Sequence, residues 1–439
     1  MSDSLSASLT YFPTYEKRED AFRNHVHALI PRKYSGPELF WKDFSRISMA
    51  EISRLTRQPV AYITSNPRDG LAFGTPWQVL QAASLAAQSG GRGELVVPEE
   101  IAQRFELREQ RDQPLRTLSG GETVRLALAK AYIAAAYCHR LIIASPFSWL
   151  SLGNRGYLSR LVGHWRGLDY PVEILALEGE DSDAPIDASE ALVALRARQV
   201  DFSICIKDLR ILLSSSLNPM VAGRTYARVN DLEIDLRSPC LIVGENGQGK
   251  SLIARALAGA LSFEGGAQVS NGHAGGAARL LFQDVIAQTL LRSFKAIGAS
   301  AGFRNSTAPV DIYRRLMQPL PLRSGQPLYH DVREDGCGEG DFPSLLEIKA
   351  ILVAVRLCGR PAALILDEPD WGLSRAVSIA FVRAAIEVCH ELGTPVVLIS
   401  HKPWWRPIAA SVIQVERSRK RLEDTHGEVF QVTLTPQRL

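Results

Sequence analysis

The strongest constraint on this chain is the stretch LIVGENGQGKSLIARALAG at 241–259. A short apolar run reads as a buried strand, GENGQGKS as a turn, and LIARALAG has the apolar spacing of a helix. Gly244, Gly247 and Gly249 let successive backbone amides turn inward around an anion, at torsions a side chain would obstruct. A helix opening at Lys250 adds the positive end of its dipole. The pattern is G-x-x-x-x-G-K-[ST] between a strand and a helix, the setting that gives it meaning. Its phosphate-binding set is Gly244, Glu245, Asn246, Gly247, Gln248, Gly249, Lys250, Ser251 and Leu252. Lys250 is expected to reach the β- and γ-phosphates of a nucleotide, and the Ser251 hydroxyl to bind magnesium.

A second anchor is PAALILDEPDWGLS, 361–374. Ala363 to Leu366 predict a buried strand ending in two carboxylates. Asp367 is placed to complete a magnesium site and Glu368 to polarise an attacking water. Pro369 stops the strand, and Gly372 permits the bend before a helix at 375–392. Gln283 ends the apolar run RLLFQD, where a neutral amide can touch magnesium and water. His401 ends PVVLISH, from which it would reach the γ-phosphate. Taken singly, a strand-end Gln or His is an ordinary surface residue; their order and spacing give them roles. The expected catalytic set is Glu368, His401 and Gln283, and the metal set Ser251, Gln283 and Asp367.

Phosphate loop, Gln, acidic strand end and His, in that order, resemble the ATP-binding-cassette (ABC) ATPases. The resemblance implies an α/β fold of tandem P-loop nucleotide-binding domains, each with a RecA-like mixed-sheet core and a helical lobe. It also implies ATP and Mg2+ as ligands and ATP hydrolysis as the reaction. The family's signature LSGGE is missing from the second half, where FPSLLEIKAILVAVRL (342–357) keeps Ser344 and Glu347 but puts Leu345 and Leu346 at the glycine positions. The full signature stands in the first half, LSGGETVRLALAKAYIAAA at 118–136, with Ser119 as expected N-cap of a long helix.

The halves repeat. LIIASPFSWLS (141–151) mirrors LILDEPDWGLS, with Ala144 and Ser145 in place of Asp367 and Glu368. VEILALEG mirrors VVLISHK, with Glu178 expected at the histidine position. VAYITSN mirrors RLLFQD, with Ser65 or Asn66 for the glutamine. Residues 1–60 hold no phosphate-loop pattern, and ALIPRKYSG, the nearest stretch, lacks the glycines. Cassettes of the family pair head to tail, so the resemblance implies one composite site: the second half's loop and carboxylates facing Ser119, Gly120 and Gly121. The opposite site lacks both of its faces. The expected domains are 1–198 and 202–439, with helical lobes at 67–117 and 284–341. The family's adenine-stacking aromatic should follow the strand 202–213, but Ser214 to Ser216 stand there.

Composition narrows the remaining choices. With 50 basic and 47 acidic residues the net charge is +3, so no bulk field draws the chain to nucleic acid or lipid. The basic cluster Arg417, Arg419, Lys420 and Arg421 is expected to be a solvated hairpin. Six scattered cysteines without a Cys-x-x-Cys pair point to neither zinc nor disulfides, and to a reducing, cytoplasmic compartment. The opening MSDSLSASLTYFPTYEKRED lacks the pattern of a secretory signal, and no apolar run reaches the ~18 residues of a membrane span. Separate protein subunits are therefore the expected partners. One form is an energising subunit docked on membrane-spanning chains; LSGGET and DEPDWGL look like the two-cassette ATPases of molybdate uptake. The alternative is a soluble mechanoenzyme or ATP-operated clamp on a ribonucleoprotein, nucleic acid or protein complex.

Overall fold

In the computed structural model of the chain, the residues described are 9–12, 60–63, 71, 74–89, 97–113, 115, 118, 120–144, 146–150, 154–177, 179, 199–212, 225–245, 247–271, 277–283, 285, 308–320, 345–421 and 428–437. The chain divides into two compact units, Met1–Asp181 and Ser182–Leu439.

In the first unit, strand β1 (Leu9–Phe12) and β2 (Ala61–Ile63) precede helices α1 (Pro76–Ser89), α2 (Pro98–Arg104) and α3 (Gly120–Ala134). Strand β3 (Leu141–Ala144), the one-turn α4 (Pro146–Trp149), α5 (Arg155–Gly167) and β4 (Val172–Leu177) follow. The strands form a parallel sheet in the order β1-β4-β3-β2. LIIA of β3 is wholly buried, as a parallel strand covered on both faces must be. α3 packs on β2, α1 and α5 through Val124, Leu128 and Ala131. Trp165 of α5 is fully buried, and its indole N–H donates to the Ala131 carbonyl at 3.1 Å.

The second unit begins with β5 (Val200–Leu212), β6 (Thr225–Val229), β7 (Leu232–Ser238) and β8 (Cys240–Val243), then α6 (Lys250–Leu257), β9 (Phe263–Ser270) and β10 (Arg279–Leu281). Helices α7 (Ala308–Met317) and α8 (Leu345–Cys358) lead to β11 (Leu364–Asp367), α9 (Arg375–Glu391) and β12 (Val396–Ser400). A hairpin of β13 (Ser411–Arg421) and β14 (Glu428–Gln437) completes it. Strands β10-β11-β12-β8-β13 run parallel, and the sheet continues through β14, β6, β5 and β7, with β9 also on β5.

The repeat seen in the sequence is also a repeat of topology. Order β2-β3-β4-β1 in the first unit matches β10-β11-β12-β8 in the second. Leu141 pairs with Val172 as Leu364 pairs with Val396, and Leu9 pairs with Ile174 as Leu241 pairs with Leu398. This register sets the correspondence between the two units and moves the position expected for Glu178. Phe12 falls at the position of Gly244, so the stretch answering to the phosphate loop is PTYEKRED, 13–20, and not ALIPRKYSG; it holds no glycine and lies outside the described residues. Leu177, not Glu178, falls at the position of His401. Ala61 pairs with Leu141 as Arg279 pairs with Leu364; Ser65 and Asn66, the two alternatives for the glutamine position, lie outside the described residues. The signature helices also correspond: α3 opens at Gly120 with Glu122 in its first turn, and α8 at Leu345 with Glu347. Among the described residues no helix is long and apolar enough to cross a membrane.

Candidate active site

The phosphate loop leaves β8, buried along its whole length, and ends where α6 begins. Gly247 and Gly249 have φ of 85° and 101°, in the left-handed region that favours glycine. Gly244 is required for a different reason: a Cβ there would lie 2.6 Å from the Val415 carbonyl oxygen of β13. Lys250, buried at the first position of α6, folds back across the loop and donates to the carbonyls of Gly244 (2.7 Å) and Glu245 (3.0 Å). Burial lowers its pKa, against the opposing pull of Glu368, Asp367 and Glu245. These contacts hold the ammonium over the loop's concavity, where phosphate oxygens are better partners than carbonyls.

Ser251 Oγ donates to Asp367 Oδ1 at 3.1 Å, so the two expected magnesium ligands from α6 and β11 already meet. Burial, and then Glu368 beside it, pushes the Asp367 pKa up to about 6, against Ser251, Lys250 and Arg255. A cation between Ser251 and Asp367 would relieve that strain. A hydroxyl, one carboxylate and phosphate oxygens form the hard, oxygen-only donor set that magnesium takes.

Glu368 is held on three sides. Its amide donates to the Ile399 carbonyl of β12 at 2.9 Å, at a φ of 45°, a left-handed backbone that costs a non-glycine residue about 1–2 kcal/mol. Its Oε2 accepts from Gln283 Nε2 at 2.6 Å and its Oε1 from His401 Nδ1 at 2.9 Å. Burial alone would raise its pKa, but His401, Lys250 and Lys402 outweigh it and lower the value, so the carboxylate stays ionised, as a base must. His401 Nε2 is buried with no partner. An orphaned buried nitrogen calls for an explanation, and a γ-phosphoryl oxygen accepting from it supplies one.

The structure thus brings Gly244, Glu245, Gly247, Gln248, Gly249, Lys250, Ser251, Leu252, Gln283, Asp367, Glu368 and His401 together in one unit. Asn246 lies outside the described residues, as do Ser119, Ser145, Glu178 and Ser344. Gly120 and Gly121 open α3 in the first unit, where Glu122 is buried and accepts from Gln110 Nε2 at 3.2 Å. Two lysines escaped the sequence reading. Lys402, directly after His401, is buried and helps hold Glu368 ionised. Lys349 of α8 is fully buried and donates to the Pro369 carbonyl at 2.8 Å, bracing the turn that follows Glu368. A lysine inside an apolar helix face was the available signal.

No protein-family model matches the chain. The oligopeptide transport ATP-binding protein OppD of Escherichia coli is 27% identical over 235 residues, covering 48% of this chain and 66% of its own length. The zinc import ATP-binding protein ZnuC of Ruegeria pomeroyi is 28% identical over 207 residues, 44% of this chain and 69% of its own. The chain is thus similar to ATP-binding proteins of the ABC transporter type. It spans about two thirds of the length of these curated relatives. Among solved structures, "RNase-L Inhibitor" aligns over 95% of this chain and 80% of its own, at a TM-score of 0.47 and 15% identity. UvrA2 from Deinococcus radiodurans aligns over 72% of this chain and 52% of its own, at 0.43 and 13%. The second unit departs from the ABC pattern that the sequence resembles at the start of α8. Leu345 is buried there and Leu346 half-buried, so the turn packs as core where the family places glycines.

Proposed function

We propose that this chain hydrolyses MgATP at one composite site, formed by the phosphate loop of the second cassette and the LSGGE turn of the first. The observation that carries the reading is the Glu368 cluster, a buried carboxyl group between Gln283 and a histidine whose second nitrogen has no partner. Lys250 and the loop amides hold the phosphates. Glu368 accepts a proton from the attacking water while His401 orients the γ-phosphoryl group. Bound Mg2+, held by Ser251 and Asp367 with Gln283 beside it, would polarise the phosphoryl oxygens. The helix N-terminus at Ser119, Gly120 and Gly121 supplies backbone amides to the charge that develops on the γ-phosphate. The first cassette keeps the four-stranded scaffold but has no glycine in its loop, and Ala144 and Leu177 stand at the positions of Asp367 and His401. The work the cycle drives is the energising of partner subunits on the cytoplasmic side of a membrane, a reading supported by the import proteins among its relatives.

The experiment compares Ser119→Arg with Ser344→Arg in steady-state ATP hydrolysis, both checked by thermal melt. A bulky cation at 119 should reduce turnover at least ~100-fold, the scale of losing an oxyanion-type donor, while the change at 344 leaves it within twofold of wild type. Full activity in the Ser119 variant would refute the composite site, and equal loss in both would mean that both turns serve live sites.

A further inference from the structure

We infer that the base of the nucleotide stacks on the guanidinium of Arg417, itself seated on Phe430, so that the C-terminal hairpin replaces the aromatic absent after β5. The inference rests on the proposed nucleotide site and deepens it. An adenine ring needs a flat partner, and the sequence after β5, Leu213 to Leu217, offers only leucines and serines.

The hairpin is placed to compensate. Arg417 pairs directly with Val432 across β13 and β14, and directly opposed residues share a sheet face. That face carries the phosphate loop, because a Cβ on Gly249 would lie 3.3 Å from Val432 Cγ2. Phe430 is two residues earlier on β14, hence on the same face, and the Arg417 guanidinium lies 4.2 Å from its ring centroid. The Tyr226 ring meets Phe430 edge-on at 5.2 Å. The main-chain N–H of Arg417 donates to Gln248 Oε1, which fixes the arginine's stem beside the loop. Phe430 is only 9% exposed and cannot offer its own face, whereas Arg417 is half-buried. A guanidinium placed over a ring is a ready surface for a nucleobase. The basic run at 417–421 is therefore not wholly a solvated hairpin, since its first member lies over an aromatic ring at the edge of the loop.

The test uses calorimetric titration of the full-length protein with a non-hydrolysable ATP analogue and with inorganic tripolyphosphate, both with magnesium. Arg417→Ala should weaken the ATP analogue roughly tenfold, the scale of losing one base stack, and leave tripolyphosphate unchanged. Arg417→Lys, which keeps the charge without the plane and guards against a folding loss, should behave the same way. The bond to Gln248 comes from the backbone and survives both changes. Equal weakening of both ligands would assign Arg417 to the phosphates and overturn the inference, and so would an unchanged ATP affinity. Wild-type protein that binds tripolyphosphate as tightly as ATP would overturn the base platform alone. Wild-type protein that binds neither would remove the nucleotide site itself.

Discussion

Glu368→Gln is the change whose consequences the geometry fixes most closely. The wild-type carboxylate gives one oxygen to Gln283 Nε2 and the other to His401 Nδ1. The amide retains one acceptor oxygen, which can keep the Gln283 bond. Its new NH2 would then face the His401 ring, and that contact survives if the ring proton moves to Nε2, the nitrogen now without a partner. Both hydrogen bonds to residue 368 are kept and His401 Nε2 is still without a protein partner, so the folded state loses chiefly the charge assistance of two hydrogen bonds, about 1 kcal/mol. Chemistry loses its base. Removal of a general base costs at least ~100-fold, which is about 2.7 kcal/mol on the barrier. Lys250, Ser251 and Asp367 are untouched, and a negative charge near the γ-phosphate is gone, so MgATP should be held at least as tightly as before. Phosphate release under steady-state and single-turnover conditions, with equilibrium retention of labelled ATP, measures each half of the expectation. Wild-type turnover would show that Glu368 is not the base. Loss of ATP retention together with a melting temperature many degrees lower would show that its two hydrogen bonds serve the fold rather than the reaction.

Two further outcomes follow from single contacts. Gly244→Ala sets a methyl 2.6 Å from the Val415 carbonyl oxygen, a backbone atom that cannot rotate away; it should cost about 1–3 kcal/mol of stability, read by denaturant titration, and a wild-type midpoint would mean the loop and β13 can part without penalty. His390 offers a pH signature. Burial lowers its pKa from 6.5 to about 4, and its Nε2 lies 2.9 Å from the Ser238 hydroxyl. The unfolded chain therefore binds the extra proton first, so stability present above pH 6.5 should be lost as the pH falls toward 4. In His390→Gln that slope should flatten, and an unchanged slope in thermal melts across the window would assign it to other groups.

The phosphate loop and the acidic strand end were legible because their meaning is local: strand, loop and helix follow one another within twenty residues and each has its own period. What escaped depends on pairing between distant strands. VEILAL and VVLIS are both largely apolar, so their correspondence can slip by one residue, and the ladder from β3 to β4 sets Leu177 at the histidine position. The four-residue β1 carries no periodicity to read, and its role shows only when it takes the place in its sheet that β8 takes in the other. Leu345 and Leu346 were expected from the sequence to exclude phosphate, and Leu345 is buried where α8 begins. The buried Lys349, tied to Pro369, was missed because a lysine is ordinarily read as solvent-facing, although its spacing from Leu345 and Leu352 puts it on the buried face.

The contacts of Gly244 with Val415 and of Gly249 with Val432 also bear on how this protein is made. Residues 244–251 leave the ribosome long before β13 and β14 do, yet the far wall of their loop consists of those two strands. Until residues through Gln437 have emerged, β6 lacks its parallel neighbour and the loop has no backing. A nascent chain halted short of that point should hold nucleotide poorly although every glycine and Lys250 are already present. Capture of ATP would then mark the completion of the second unit.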